Sequence, residues 1–147
     1  MTSPQPQPLQ ASAVEIAGQA VLILGKPCSG KSTLAMALID RGARLIGDDG
    51  VMIFARDERV WVEPHPNIAG KIEVRGVGIV ELPVATAPAA LIIDLDEKSE
   101  RLPEKVASRI LLGCEIPALG LGGSDSASLP LRVEWGLREH GLSKAKE

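Results

Sequence analysis

Eight consecutive residues, Gly25-Lys26-Pro27-Cys28-Ser29-Gly30-Lys31-Ser32, restrict this chain more than any other stretch. They fit the pattern G-x-x-x-x-G-K-[ST] at every fixed position. That pattern requires a strand before it and a helix after it, and the sequence supplies both. Ala20-Val21-Leu22-Ile23-Leu24 is an apolar run of buried-strand type, and Ser32 to Asp40 is rich in helix formers. Gly25 and Gly30 allow the backbone to turn tightly and approach an anion with no Cβ in the way. The loop amides then form an anion-binding concavity, and the positive end of the following helix points at the same spot. Lys31 is placed to reach the outer phosphates of a nucleoside triphosphate and the Ser32 hydroxyl to ligate Mg²⁺.

Size and charge narrow what such a loop serves. A chain of 147 residues is expected to form one domain with a substantial core. Net charge is −3 with no basic block, and there is one Phe and no Tyr, so neither a nucleic-acid footprint nor a base-stacking platform is expected. No apolar run has membrane-spanning length, and the N-terminus lacks the pattern of a secretory signal, so a cytoplasmic location is expected. Cys28 and Cys114 have no metal-site spacing, and His65 and His140 stand alone. Cys28 lies in the phosphate loop, where a helix N-terminus favours the thiolate.

Residues 1–9 hold three Pro and two Gln and read as a flexible tail, leaving 10–147 as the folded domain. Ser12–Ile16 and Gln19–Leu24 read as a hairpin turning at Gly18. The helix after the loop carries Leu34, Ala35, Leu38 and Ile39 on one face and stops at Arg41-Gly42. Arg44–Gly47 is a short strand ending in Asp48-Asp49-Gly50. Val51–Ala55 and Arg59–Val62 form a second hairpin. Lys71–Glu81 is strand-like but broken by Gly76 and Gly78. Ala89–Leu95 is a buried strand, 96–104 a charged loop, and 120–126 a Gly/Ser loop. Short apolar pieces precede a final helix after Ser128, with Leu131, Trp135 and Leu142 facing inward. So few helices among so many strands imply an α/β domain with a mixed, hairpin-rich sheet.

A phosphoryl-transfer enzyme of this kind needs a carboxylate near Mg²⁺ and, for a kinase, an acceptor for the hydroxyl proton. Asp48 and Asp49 follow a short apolar strand, 16 and 17 residues after Ser32. One carboxylate can serve the metal while its neighbour, raised in pKa by that charge, accepts a proton. The same residues also suit a plain turn. Asp94, at the end of Leu91-Ile92-Ile93, competes as the metal-positioning acid. In Ile72-Glu73-Val74-Arg75-Gly76-Val77-Gly78-Ile79, alternation puts Glu73 and Arg75 on one face. That pair suits a metal and a phosphoryl group, or an ordinary salt bridge. Lys98, Glu100 and Arg101 form a charged cluster, from which Arg101 could stabilise developing charge.

Taken together, Gly25–Ser32, Arg41-Gly42 before Leu45-Ile46-Gly47-Asp48-Asp49, and the Glu73–Ile79 run resemble the C-terminal catalytic domain of HPr kinase/phosphorylase, over roughly residues 10 to 120. The Glu-x-Arg-Gly-x-Gly-Ile run is that family's signature. The chain is most similar to the short alpha-proteobacterial form, and its length leaves no room for the N-terminal domain of longer members. The resemblance implies a P-loop domain related to PEP carboxykinase and a regulatory serine kinase. It further implies transfer of phosphate from ATP, with Mg²⁺, to a serine of the phosphocarrier HPr. By the same resemblance Lys31 binds phosphates, Ser32 and Glu73 meet the metal, and Asp49, beside Asp48, takes the serine proton. Arg75 belongs to the signature and Arg101 matches a catalytic arginine. A homo-oligomer is implied as well.

Two departures bear on activity. The family's histidine upstream of the P-loop is replaced by Gln10, which cannot move a proton. The Pro-Gly-Arg-Asn stretch linked to phosphate removal is missing from 120–131, so kinase activity is expected without phosphorylase activity. Competing readings are a small-molecule P-loop kinase or NTPase, whose lid arginines would have to be Arg56 and Arg59, and a nucleotide-sensing module without catalysis.

Overall fold

The computed structural model describes residues 5–102 and 105–142. In chain order the elements are β1 (Gln7–Leu9), β2 (Ser12–Ile16), β3 (Gln19–Leu24), α1 (Lys31–Asp40), β4 (Arg44–Gly47), β5 (Val51–Arg56) and β6 (Arg59–Pro64). They continue with β7 (Lys71–Val74), β8 (Gly78–Glu81), β9 (Ala87–Lys98), β10 (Ala107–Leu111), β11 (Cys114–Gly122) and α2 (Leu129–His140). Nine strands share one mixed sheet in the order β1-β5-β6-β9-β3-β2-β4, with β11 on β9 and β10 outermost beyond it. β7 and β8 form a separate hairpin.

β9 is the spine of the sheet. It runs parallel to β3 on one edge and to β11 on the other, and its first residues pair antiparallel with β6. Parallel strands covered on both faces read as unbroken apolar runs, which is what β3 and β9 are. Alternation then sorts them into two cores. Leu22 and Ile92 join Ile46, Val51, Ile53, Val60, Val62 and Ile116 on the face the sheet curls around. Val21, Ile23, Leu91 and Ile93 face the helices, where Leu34, Ala35, Leu38, Val133 and Leu137 cover them. Each fully buried aliphatic side chain contributes roughly 1.5–3 kcal/mol.

The ends of α1 are set locally. Gly42, at φ +114°, takes the left-handed position, its N–H reaching Ile39 O and that of Ala43 reaching Leu38 O. These two bonds satisfy carbonyls the last turn would leave open. Arg41 makes a two-point contact to Glu134 of α2, at 2.9 and 2.8 Å. That hydrogen bond and charge hold the guanidinium above its ordinary pKa.

Four expectations change. Residues 7–9 form β1 and pair with β5 through Gln7↔Ile53 to Leu9↔Val51, so this part of the expected tail lies in the sheet. The charged segment after Leu95 is strand as far as Lys98, because β11 pairs with it up to Gly122. β11 for the same reason absorbs the start of the expected Gly/Ser loop. Leu131 and Trp135 do not face inward but stay 47% and 50% exposed. α2 instead buries Pro130, Val133, Gly136 and Leu137. A Cβ at Gly136 would stand 2.6 Å from Leu119 Cδ1, so glycine there brings the helix down on its 133/137 side.

Candidate functional site

The glycine-containing loop Gly25–Gly30 connects β3 to α1. Gly30 precedes the helix at φ +102°, and no side chain caps the first turn. The first-turn amides of a helix have no partner within it, so these donors remain directed at the loop. A Cβ at Gly25 would lie 2.4 Å from Ser29 Oγ, which fixes glycine at that position. Ser29 Oγ is itself buried without a hydrogen-bond partner. An orphaned hydroxyl beside open amides fits a site that takes phosphate oxygens. Outside the loop, Asp96 accepts the Lys26 N–H at 3.0 Å and braces its second residue. Cys28 is exposed at φ +66°.

Lys31 is 8% exposed. A buried ammonium must be compensated. Its Nζ donates to Gly25 O at 2.7 Å and Lys26 O at 3.3 Å, with Asp49 Oδ1 at 4.0 Å. Ser32 follows it directly in the first turn of the helix. Ser32 Oγ donates to Asp48 Oδ1 at 2.6 Å. Two cis oxygen ligands of Mg²⁺ lie about 2.9 Å apart at its usual bond lengths. The hydroxyl–carboxylate pair is therefore close to the spacing that a small hard cation requires, and oxygen donors are the right type for it.

Asp48 and Asp49 leave the end of β4 and separate. Asp48 turns inward, while the Asp49 side chain is 64% exposed with its backbone left-handed at φ +64°. Left-handed backbone costs a non-glycine residue roughly 1–2 kcal/mol. Strained residues of this kind concentrate at functional sites. One carboxylate is thus committed to Ser32 and the other is open at the mouth of the loop.

Asp94 takes a different place. It is buried within β9, opposite Leu24, and pairs with Arg109 while accepting the Asp96 N–H at 2.8 Å. The Ser32 hydroxyl goes to Asp48 and not to it. Glu73 and Arg75 are exposed on the β7–β8 hairpin. Among the described residues neither makes a hydrogen bond or ion pair to Lys31, Ser32, Asp48 or Asp49. The hairpin nonetheless rises beside the Asp turn: Ile68, just before it, would lie 3.4 Å from a Cβ at Gly50, and Ala85, just after it, donates to Leu45 O of β4. Arg101 is exposed and lines an open groove of about 840 Å³ with Asp94, Arg109 and Trp135. Arg56 stacks on Trp61 at 4.3 Å, and Arg59 donates to Ala89 O. Gln10 is exposed between β1 and β2. No group of three or more His, Cys, Asp or Glu side chains is arranged for a metal among the described residues. Sequence reasoning missed Ser12, whose hydroxyl meets both acidic residues of the turn. Its one visible signal was a polar side chain set between Ala11 and Ala13 in an otherwise buried strand.

A family model described as HPr Serine kinase C-terminal domain matches residues 5–87. The chain is 31% identical over 140 residues to an HPr kinase/phosphorylase of Limosilactobacillus reuteri, covering 86% of this chain and 44% of that protein. It is 28% identical over 142 residues to one of Chlorobium phaeobacteroides, covering 87% and 42%. Over 70 residues, identity to that of Streptococcus thermophilus is 44%. The chain thus spans less than half the length of the first two relatives. Among solved structures, the Hpr(Ser) kinase/phosphatase of Coxiella burnetii superposes with a TM-score of 0.78 at 29% identity, covering 91% of this chain and 90% of that one.

Proposed function

This chain belongs to the family of HPr serine kinase C-terminal domains, and on that premise we propose that it is an ATP-dependent serine kinase acting on HPr. The observation that carries the reading is the division of labour at the end of β4, with Asp48 bonded to Ser32 at 2.6 Å and Asp49 open at the loop mouth, 4.0 Å from Lys31. Ser32 and Asp48 would hold Mg²⁺, which when bound neutralises charge on the β- and γ-phosphates. Lys31 exchanges its carbonyl partners for phosphate oxygens. Asp49 accepts the proton of the substrate serine as that oxygen bonds to the γ-phosphorus and the bond to the bridging oxygen of ADP breaks. Glu73, Arg75 and Arg101 complete the site from the hairpin and the groove once nucleotide and protein substrate draw them in. The fold would then be a P-loop domain of the PEP carboxykinase type, with 10–147 as its catalytic unit, working in the cytoplasm as a homo-oligomer. The forward reaction is the one assigned, since nothing like Pro-Gly-Arg-Asn stands in 120–131.

Incubation with ATP, Mg²⁺ and HPr tests this. Phosphoserine should accumulate on HPr. Asp49→Asn should cut transfer by 10²-fold or more while nucleotide affinity stays within about twofold. ATP binding without any transfer to HPr would discard the kinase reading, and full transfer by Asp49→Asn would remove Asp49 from the role of proton acceptor.

A further inference from the structure

We propose that Ser12 is a positioning residue for the Asp48-Asp49 pair, holding one carboxylate inward and the other outward. The inference rests on the kinase reading for its catalytic consequence, but not for its geometry. Among the described residues three polar or charged side chains are buried: Lys31, Asp94 and Ser12. Lys31 is compensated by loop carbonyls and Asp94 by Arg109. Ser12 is fully buried near the start of β2, where an apolar residue would pack at no polar cost. Its hydroxyl is used in both directions. It donates to Asp48 Oδ1 at 3.1 Å and accepts the Asp49 N–H at 3.1 Å.

The backbone around it is shaped for that contact. β2 and β4 pair antiparallel with a shift between Ala13↔Gly47 and Val14↔Leu45, so β4 gains one residue next to the turn. Such bulges re-aim the side chains that follow. Gly47 then folds so closely on the turn that a Cβ would sit 2.5 Å from Gly50 O. The chain leaves β4 with Asp48 and Asp49 beneath Ser12. The bond to the Asp49 N–H secures the residue whose backbone is left-handed. The bond to Asp48 joins that of Ser32 on the same oxygen, Oδ1. Two hydroxyls thereby fix the carboxylate's rotation and leave Oδ2 unengaged among the described residues. Because the Ser32 proton is directed at Oδ1, its lone pairs face the loop. One hydroxyl from a neighbouring strand therefore sets both carboxylates.

The test compares Ser12→Ala, Ser12→Val and Ser12→Thr in the full chain. Two readouts are used: kcat and KM for transfer to HPr, and hydrogen exchange of the Asp49 amide. Loss of a bond to a charged partner predicts a fall in kcat of about 10- to 100-fold for Ala and Val. KM for ATP should stay within about threefold, and Thr, which keeps the hydroxyl, should restore kcat. Asp49 exchange should quicken in Ala and Val but not in Thr. A merely structural serine would instead give three variants that differ in melting temperature and share one kcat. Wild-type kcat and exchange in Ser12→Val would overturn the proposal. If the wild-type protein fails to phosphorylate HPr, the kinase reading falls, and the exchange pattern alone still decides whether Ser12 holds the turn.

Discussion

Lys31 combines near-complete burial with a full charge, and the loop carbonyls that compensate it are poor substitutes for water. A phosphate would be the better partner, so the fold holds this side chain ready at a cost in stability. Lys31→Met keeps the length of the side chain and removes the charge. Nucleotide affinity should fall by at least tenfold in calorimetry, while the melting temperature stays level or rises. A large drop in melting temperature would show that the lysine is part of the scaffold. At this scale the sequence was readable where the pattern lies in contiguous residues. The loop between β3 and α1 and the Asp48-Asp49 turn after β4 are local patterns. Ser12 was not readable, because its partners lie 36 and 37 residues away and meet it only through strand pairing.

Among the elements, α2 starts at an electrostatic contact just before its first residue. Ser128 precedes it without capping it through its side chain, and Asp125 accepts the Ser128 N–H at 2.8 Å. That bond, followed by the side-chain bond from Ser128, pulls the Asp125 carboxyl below its usual range. A folded-state pKa below the unfolded one stabilises the protein above the unfolded value near 3.9 and is lost as pH falls through the folded value. Wild type should therefore resist urea better than Asp125→Asn at pH 7, with the gap closing as the pH falls below the unfolded value. A gap that persists in acid would mean that the Asp125 charge is not its source, and no gap at pH 7 would mean that the amide replaces the bond. Most elements were legible from period and punctuation: the β2–β3 and β5–β6 hairpins and the Gly42 stop follow their sequence signals. The facing of α2 was not, since stripes 131/135 and 130/133/137 are both helical and Gly136, by admitting Leu119, chose between them.

The whole molecule is two cores on one spine. Ile92 belongs to the curled-sheet core and Ile93 to the helix-covered one, and they are neighbours on β9. Neither core can dissolve while β9 keeps its partners. The two tryptophans report on opposite sides, Trp61 on β6 and Trp135 on α2. Single-tryptophan variants, Trp61→Phe and Trp135→Phe, should unfold in urea with coincident midpoints once each is corrected for its own stability by circular dichroism. Separate transitions would split the molecule in two. Strand order was the least legible feature. The β6–β9, β9–β3 and β9–β11 pairings join segments far apart in the chain, and alternation decides which face a residue takes but not which strand lies next to it.

The left-handed backbone of Asp49 carries a last consequence. Folding by itself would favour glycine at that position. A library of variants ranked only by heat resistance would accordingly drift toward Asp49→Gly and enrich robust proteins that lack the proposed proton acceptor. Durability and purpose pull against each other at this one residue, and an engineer who wants both should seek added stability in α2 or along β9 and leave the turn as it is.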